Sequence, residues 1–309
     1  VHEVAGMLAG KTVAVTGGGN GIGRAVSLAC AAEGANVVVA DYGVAMDGSN
    51  PSSEVADAVV KEIEALGAKA VAVAGDVSKF DTGAEIVAAA VDTWGSLDGV
   101  VCVAGNLRER MLFNMSEDEF DAVINVHLKG HFNVYRHASA VMRKQEGGGS
   151  IVGFTSAAFV GSTAQANYSA AKGGIISLTR SAALALHKYG VRANCIAPVA
   201  KTRMSENVPF EIETGEPSAI APMAVYLISD AAKEITGQTY TVVGPRISVW
   251  NQPAELRSMF APDGATEWTP EQIADSLPRT IKFEEHPMLA DLARRAAQME
   301  AKKAAEAQG

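Results

Sequence analysis

The chain has 309 residues, enough for one large domain and an extension, and its 48% hydrophobic content is ample for a buried core. A formal charge of −9 argues against nucleic acid as a partner, since phosphate backbones recruit cationic patches. There is no apolar run of the ~18 residues a membrane span needs, and the start at Val1-His2-Glu3-Val4 lacks a cationic leader, so the expected location is cytoplasmic.

Short Val, Ile and Ala runs alternate with amphipathic segments along most of the chain, the pattern of strands joined by helices. The first expected strand, 12–16, runs into Gly17-Gly18-Gly19-Asn20-Gly21-Ile22-Gly23, and a helix follows to about Glu33. A strand, a glycine-rich turn and a helix N-terminus suit a pyrophosphate, because glycine lets phosphate approach the backbone and the helix dipole favours negative charge. The spacing is GxxxGxG, with Gly17, Gly21 and Gly23 in register, and plain turn chemistry is the competing reading. The second strand, 36–41, ends at Asp41, where a carboxylate accepts hydrogen bonds from an adenosine ribose diol and repels a 2′-phosphate. Neither Gly18 nor Gly19 carries a basic side chain to offset that repulsion, so the expected cofactor is NAD; the alternative is a turn-forming Asp at a strand end.

Further strands are expected at 69–75, 97–103, 149–155, 191–196 and 238–243. With right-handed crossovers they make an α/β fold, a doubly wound parallel sheet of seven strands with helices on both faces and all strand C-terminal ends on one edge. Cys30, Cys102 and Cys195 are odd in number, fall within expected helix or strand, and show neither metal-ligand spacing nor a disulfide framework, so no metal site is expected. Cys102 reads as a small buried hydrophobe rather than a nucleophile.

In Asn167-Tyr168-Ser169-Ala170-Ala171-Lys172 a four-residue offset stacks Tyr168 and Lys172 on one helix face. A phenol with a pKa near ~10 abstracts protons at neutral pH only if a fixed cation stabilises its anion, and Lys172 has that chemistry. Alone, such a pair reads as a solvated surface feature.

Taken together, TGGGNGIG at 16–23, Asp76-Val77 after the third strand, Asn125 in NVHLKG, Ser156, YxxxK at 168–172 and NCIAP at 194–198 give the chain its resemblance to the short-chain dehydrogenase/reductase family, over about residues 8–245. The resemblance implies a Rossmann-type fold and a catalytic set of Asn125, Ser156, Tyr168 and Lys172. It implies a dinucleotide site built from Gly17, Asn20, Gly21, Ile22 and Gly23, from Asp41, Asp76 and Val77, and from Ala104 and Gly105. Tyr168, Lys172, Pro198 and Thr202 would line its nicotinamide end, Thr202 at the carboxamide. In the implied roles Tyr168 takes the hydroxyl proton, Lys172 lowers the phenol pKa, Ser156 holds the substrate oxygen, and Asn125 anchors a water linking Lys172 to solvent; its plainer reading is a helix-kink Asn. A fall of ~3 units in the phenol pKa corresponds to roughly 4 kcal/mol, to be shared by Lys172 and a positively charged nicotinamide.

A closer resemblance is to the (3R)-hydroxyacyl-CoA dehydrogenase domains of peroxisomal multifunctional enzymes and their bacterial relatives. It rests on the long segment after Asp41 (Tyr42-Gly43-Val44-Ala45-Met46-Asp47-Gly48), on NLRERMLFNMSEDEF at 106–120, and on PVAKTRM at 198–204. Two departures stand out. The family's NNAG reads Cys102-Val103-Ala104-Gly105, so the Asn that braces the fourth strand is missing while the small residues remain. Thr155 lies at the family's thirteen-residue offset before the tyrosine, with Ser156 next; counting from the strand favours Ser156, with a one-residue deletion in the loop before Gly161.

Arg108, Arg110, Lys201 and Arg203 follow the fourth and sixth strands, at the ligand edge, and read either as receptors for an anionic substrate or as solvated charges paired with Glu109 or Glu117. Residues 205–217 occupy the family's substrate-lid position. The extension 246–309 is set off from the domain 1–245; its prolines forbid long regular elements until a helix at about 287–307, whose Leu289, Leu292, Ala296 and Met299 make a narrow apolar stripe for a neighbouring subunit or the active site, or belong to a partly ordered tail. By resemblance the chain is expected to form a homo-oligomer, a tetramer or dimer. The expected activity is NAD-dependent interconversion of a secondary alcohol and a ketone, on a 3-hydroxyacyl-CoA or a related alicyclic or steroid-derived compound. The alternatives are small alicyclic or terpenoid alcohols without CoA, or a dinucleotide-binding regulator without catalysis.

Overall fold

Val13 and Val15 pack on one side of their strand and Ala14 on the other, and both sides are buried, as an inner parallel strand requires. In the computed structural model this strand, β1 (Thr12–Thr16), lies in one sheet with β2 (Asn36–Asp41), β3 (Ala70–Ala74), β4 (Gly99–Cys102), β5 (Gly149–Phe154), β6 (Val191–Pro198), β7 (Thr239–Val243) and β8 (Arg246–Val249). The structure describes residues 6–44, 51–200, 215–262 and 265–281, together with 286, 289, 294, 297, 298 and 300.

The strand order is β3-β2-β1-β4-β5-β6-β7-β8, and β1 to β7 are parallel. The order reverses between β1 and β4, so the crevice beyond their C-terminal ends is where a doubly wound sheet receives its ligand. The sheet has eight strands rather than the expected seven. The extra one, β8, pairs antiparallel with β7. Val243 faces Arg246 across the two-residue turn Gly244-Pro245, with Gly244 at φ +49°, the positive φ that tight hairpins place at the first central residue. Pro245 fills the second central position of this hairpin turn.

The helices are α1 (Gly21–Ala32), α2 (Glu54–Ala65), α3 (Phe80–Trp94), α4 (Glu117–Ile124), α5 (Gly130–Met142), α6 (Ala166–Leu186), α7 (Ala221–Ile228) and the short α8 (Pro270–Ser276). Val26, Ile63 and Leu227 of α1, α2 and α7 pack with Val13, Val15 and Val37 on one face of the sheet. Ile86 of α3 and Val134 and Met142 of α5 pack with Ala14, Val38 and Val100 on the other. One π turn, Asn125–Lys129, joins α4 to α5. Such insertions inside helices mark functional positions more often than chance.

The chain divides into two compact units, Val1–Trp250 and Asn251–Gly309. In the second, Thr269 and Gln272 form a reciprocal cap at the start of α8, and Pro270 sits in the first turn, where its missing N–H costs nothing. Of the expected helix at 287–307, residues 289, 294, 297, 298 and 300 are helical; Leu292, Ala296 and Met299 lie outside the described residues. No helix among the described residues is long and apolar enough to cross a membrane.

Candidate active site

The glycine turn after β1 closes against the end of β4. Gly17 has φ +64°, and a Cβ there would stand 2.8 Å from the backbone of Ala104. A Cβ on Gly23 would collide with the Gly17 carbonyl, so Gly23 lets the first turn of α1 fold back on the loop. Gly21 opens α1 at φ +49°, with Asn20 as the residue before it and no acidic side chain in the first turn. The N–H groups of that first turn, with Ile22 among them, suit the phosphates of a dinucleotide, and Gly17, Gly18, Gly19 and Gly21 carry no Cβ to keep a ligand away from the backbone.

Asp41 ends β2 and braces this turn. Its Oδ2 accepts from the Gly19 N–H at 2.9 Å and its Oδ1 from the Gly43 N–H at 2.7 Å. Each oxygen retains a lone pair for a ribose hydroxyl. Asp76 accepts from the Ser78 N–H at 2.9 Å, and the carbonyl of the neighbouring Val77 accepts from the Asn133 amide at 2.8 Å, which ties the end of β3 to α5. Pro198 closes β6, while Thr202, Lys201, Arg203 and the lid positions 205–214 lie outside the described residues.

Tyr168 and Lys172 lie one turn apart on α6, with the Lys172 Nζ 5.3 Å from the centre of the phenol ring. Lys172 is buried and donates to the Phe154 carbonyl at 2.7 Å. The Thr155 hydroxyl donates to the Lys172 carbonyl at 2.8 Å, which fixes Thr155 in a structural bond. Ser156, not Thr155, is the hydroxyl that acts on the Tyr168 phenol, favouring its ionised form, and its Oγ accepts from the Ala158 N–H at 3.2 Å. Asn125 begins the π turn, and its carbonyl accepts from the Gly130 N–H.

Burial dominates the electrostatics of the site. The sequence leads one to expect Lys172 to pull the phenol down; here burial acts more strongly and pushes Tyr168 up to about 12, with Ser156 acting in the opposite direction. Burial also pulls Lys172 down to about 7. Both groups are thus driven toward their neutral forms. The thiols are inert: burial raises Cys30 and Cys102 to about 12 and Cys195 to about 11. Among the described residues no group of three His, Cys, Asp or Glu is placed to hold a metal ion.

Two buried histidines, absent from the sequence reading, complete the site. His131 lies within 2.6 Å of the His127 carbonyl through Nδ1, and its Nε2 accepts from the Phe154 N–H at 3.2 Å. His127 stands edge-on to the Tyr168 ring at 5.2 Å, with its Nε2 2.8 Å from the Asn106 carbonyl. The signal for neither is in local spacing, because their partners lie on β4, β5 and the loop beyond.

Of the candidate anion receptors, Arg110 forms an ion pair with Glu119 at 2.9 Å, and that pairing holds the Glu119 carboxyl down to about 2. The partner is Glu119 rather than Glu109 or Glu117. Glu119 is also half of a reciprocal cap with Ser116 at the start of α4, so the S-x-x-E signature marked its position. Glu109 instead accepts from Gln165, and Arg108 donates to the Leu107 carbonyl at 2.8 Å.

The family described as enoyl-(acyl carrier protein) reductase matches residues 17–244. The chain is 44% identical over 286 residues to the hydroxyacyl-CoA dehydrogenase ChsB1 of Mycobacterium tuberculosis, covering 87% of this chain and 88% of that protein. It is 40% identical over 230 residues to the peroxisomal multifunctional enzyme type 2 of Mus musculus, covering 74% of this chain and 31% of that much longer protein. Its fold superposes on a short chain dehydrogenase from Mycobacterium avium with a TM-score of 0.80 at 42% identity, covering 91% and 98% of the two chains. Sequence, sheet order and the Ser156–Tyr168–Lys172 cluster agree, and the chain belongs to the short-chain dehydrogenase/reductase family of oxidoreductases.

Proposed function

We propose that the chain oxidises the secondary hydroxyl of a 3-hydroxyacyl-CoA, or of a related alicyclic or steroid-derived compound, to the ketone, with NAD as its preferred dinucleotide. The observation that carries this reading is the 44% identity, along nearly the whole of both chains, to a hydroxyacyl-CoA dehydrogenase. The preference for NAD rests on Asp41, whose two oxygens are held at the glycine turn and would repel a 2′-phosphate.

A nicotinamide dinucleotide, when bound, supplies the hydride acceptor and, oxidised, a positive charge. Gly17, Asn20, Gly21, Ile22 and Gly23 would hold its phosphates, Asp41 its ribose, and Asp76, Val77, Ala104, Gly105, Pro198 and Thr202 the remainder. Ser156 orients the substrate hydroxyl by hydrogen bonding and Tyr168 receives its proton at Oη. Lys172 lies beside the phenol as the ammonium that favours its ionised form, and Asn125 holds the water through which the proton leaves. The assembly is a homo-oligomer, dimer or tetramer, and the buried unpaired thiols accord with a reducing cytoplasm.

The test is NADH formation from NAD+ with matched 3-hydroxyacyl-CoA thioesters and uncharged cyclic or steroid alcohols, with NADP+ alongside. Turnover of the thioesters supports the reading. Turnover of the uncharged alcohols alone moves the assignment to an alicyclic or terpenoid alcohol dehydrogenase, and binding of NAD+ without any turnover moves it to a regulator.

A further inference from the structure

His127 lies in the π turn with 1% of its surface exposed, between the catalytic tyrosine and the end of β4. Its ring edge meets Tyr168 at an interplanar angle of 89°. Its Nε2 stands 2.8 Å from the Asn106 carbonyl oxygen and 3.1 Å from the Asn106 amide nitrogen. A Cβ on Gly105 would collide with His127 Cε1, so the glycine that ends the Ala104-Gly105 shelf is shaped to admit this imidazole. The other ring nitrogen, Nδ1, is buried and has no hydrogen-bond partner among the described residues.

A fully buried imidazole without a carboxylate partner is neutral. Nε2 meets both backbone groups of Asn106, its N–H and its carbonyl, so either neutral form of the ring bonds to that residue. The family's asparagine is absent at 102 and 103, and His127 holds the segment after β4 from the other side.

We propose that His127 is a positioning residue: through Nε2 it clasps the Asn106 backbone and holds the Gly105-Asn106 turn beside Tyr168, setting the distance between the phenol and the cofactor shelf. The proposal rests on the dehydrogenase reading but not on the identity of the substrate. Displacement of an acid/base group by about 1 Å costs on the order of 100-fold in rate, so the clasp acts on turnover more than on ligand affinity.

Substitution tests this. In kinetics with any alcohol the wild type oxidises, His127→Phe keeps the ring contact with Tyr168 but loses the clasp, and is expected to lower kcat by about 10- to 100-fold with the dinucleotide KM changed less than about threefold. His127→Gln, whose amide reaches the Nε2 position, is expected to stay within about threefold of wild-type kcat. If the Phe variant does not fold, His127→Asn, whose amide falls short of Asn106, takes its place with the same expected loss. Equal kcat in the Gln variant and the Phe or Asn variant overturns the proposal. A wild type that oxidises no alcohol fells the dehydrogenase reading instead.

Discussion

The Lys172 Nζ donates to the carbonyl of Phe154, the last residue of β5, at 2.7 Å, so the strand that leads into Ser156 also anchors the lysine beside Tyr168. This placement sacrifices stability. Burial pulls Lys172 down to about 7, against ~10.4 in an unfolded chain. Between those values the unfolded chain holds the proton and the folded one does not, so the lysine's contribution grows more favourable as pH rises from about 7 to about 10 and is least favourable below 7. Lys172→Met is expected to be the more stable protein at pH 7, with an advantage over wild type that shrinks by a few kcal/mol on the way to pH 10. Its turnover is expected to fall by about 100-fold or more. Urea melts of both proteins across that range check it; a stability difference independent of pH would show that the lysine is charged and well solvated in the fold.

Tyr168 shows the converse shift. Pushed up to about 12, the phenol is protonated in the ligand-free protein at all ordinary pH values, and its contribution to stability is lost as pH rises from ~10 through about 12. Tyr168→Phe removes the proton acceptor and leaves the ring against His127. Alcohol oxidation is expected to fall by about 100- to 10,000-fold, while dinucleotide affinity, read by NADH fluorescence titration, changes little. A variant that keeps full turnover would remove Tyr168 from the proton path.

Much of this arrangement is legible in the sequence because it is local. The strand runs are apolar and short, the glycines sit between a strand and a helix, and the four-residue spacing of Tyr168 and Lys172 puts them one turn apart. What escapes is carried by contacts distant along the chain. His127 has no local motif, and its meaning comes from Asn106 and Tyr168, which only the folded β4 and α6 bring to it. Asp41 reads as a ribose acceptor, but its bonds to Gly19 and Gly43 show that it also ties the glycine turn to the end of β2. β8 is hidden because a Gly-Pro hairpin looks like the start of a tail. Counting back from Tyr168 points to Thr155 and counting from the strand to Ser156; the bond from the Thr155 hydroxyl to the Lys172 carbonyl is a contact that no count reveals.

Because both Asp41 oxygens are engaged, substitution there is expected to do two things together. Asp41→Ala should lessen the preference for NAD+ over NADP+ by about tenfold or more in kcat/KM, since the like charge facing a 2′-phosphate is gone. It should also lower stability by about 1–3 kcal/mol, since two backbone N–H groups lose their acceptor. Asp41→Asn keeps one acceptor oxygen and should fall between the two. Paired kinetics with both dinucleotides and thermal melts would show this; an unchanged dinucleotide ratio in Asp41→Ala would place the selectivity elsewhere.

Arg110 is expected to be silent toward an anionic substrate. Its guanidinium bonds to Glu119 through both Nε and Nη2, and the same carboxylate caps α4 through Ser116. Arg110→Ala should therefore change kcat/KM for a CoA thioester by less than about threefold, the scale of an exposed ion pair. A loss of about tenfold or more, confined to thioesters and absent with the free alcohol, would show that Arg110 leaves Glu119 to bind the CoA portion.

Gly105 and His127 are matched in shape, and this makes a last prediction that does not depend on substrate. A Cβ at Gly105 has nowhere to go but into His127 Cε1, and the imidazole is held by its T-shaped contact with the Tyr168 ring and at its tip by Asn106. Gly105→Ala is expected to destabilise the protein by about 1–3 kcal/mol, the usual cost of overpacking a tight site. Shortening the facing side chain should give the methyl group room, so in a His127→Ser background the same Gly105→Ala change should cost at least about 1 kcal/mol less. Denaturant melts of the four proteins close the cycle. Simple additivity would mean that the glycine is required by the backbone alone, and that the imbalance at this corner of the site lies in the chain path rather than in the ring packed against it.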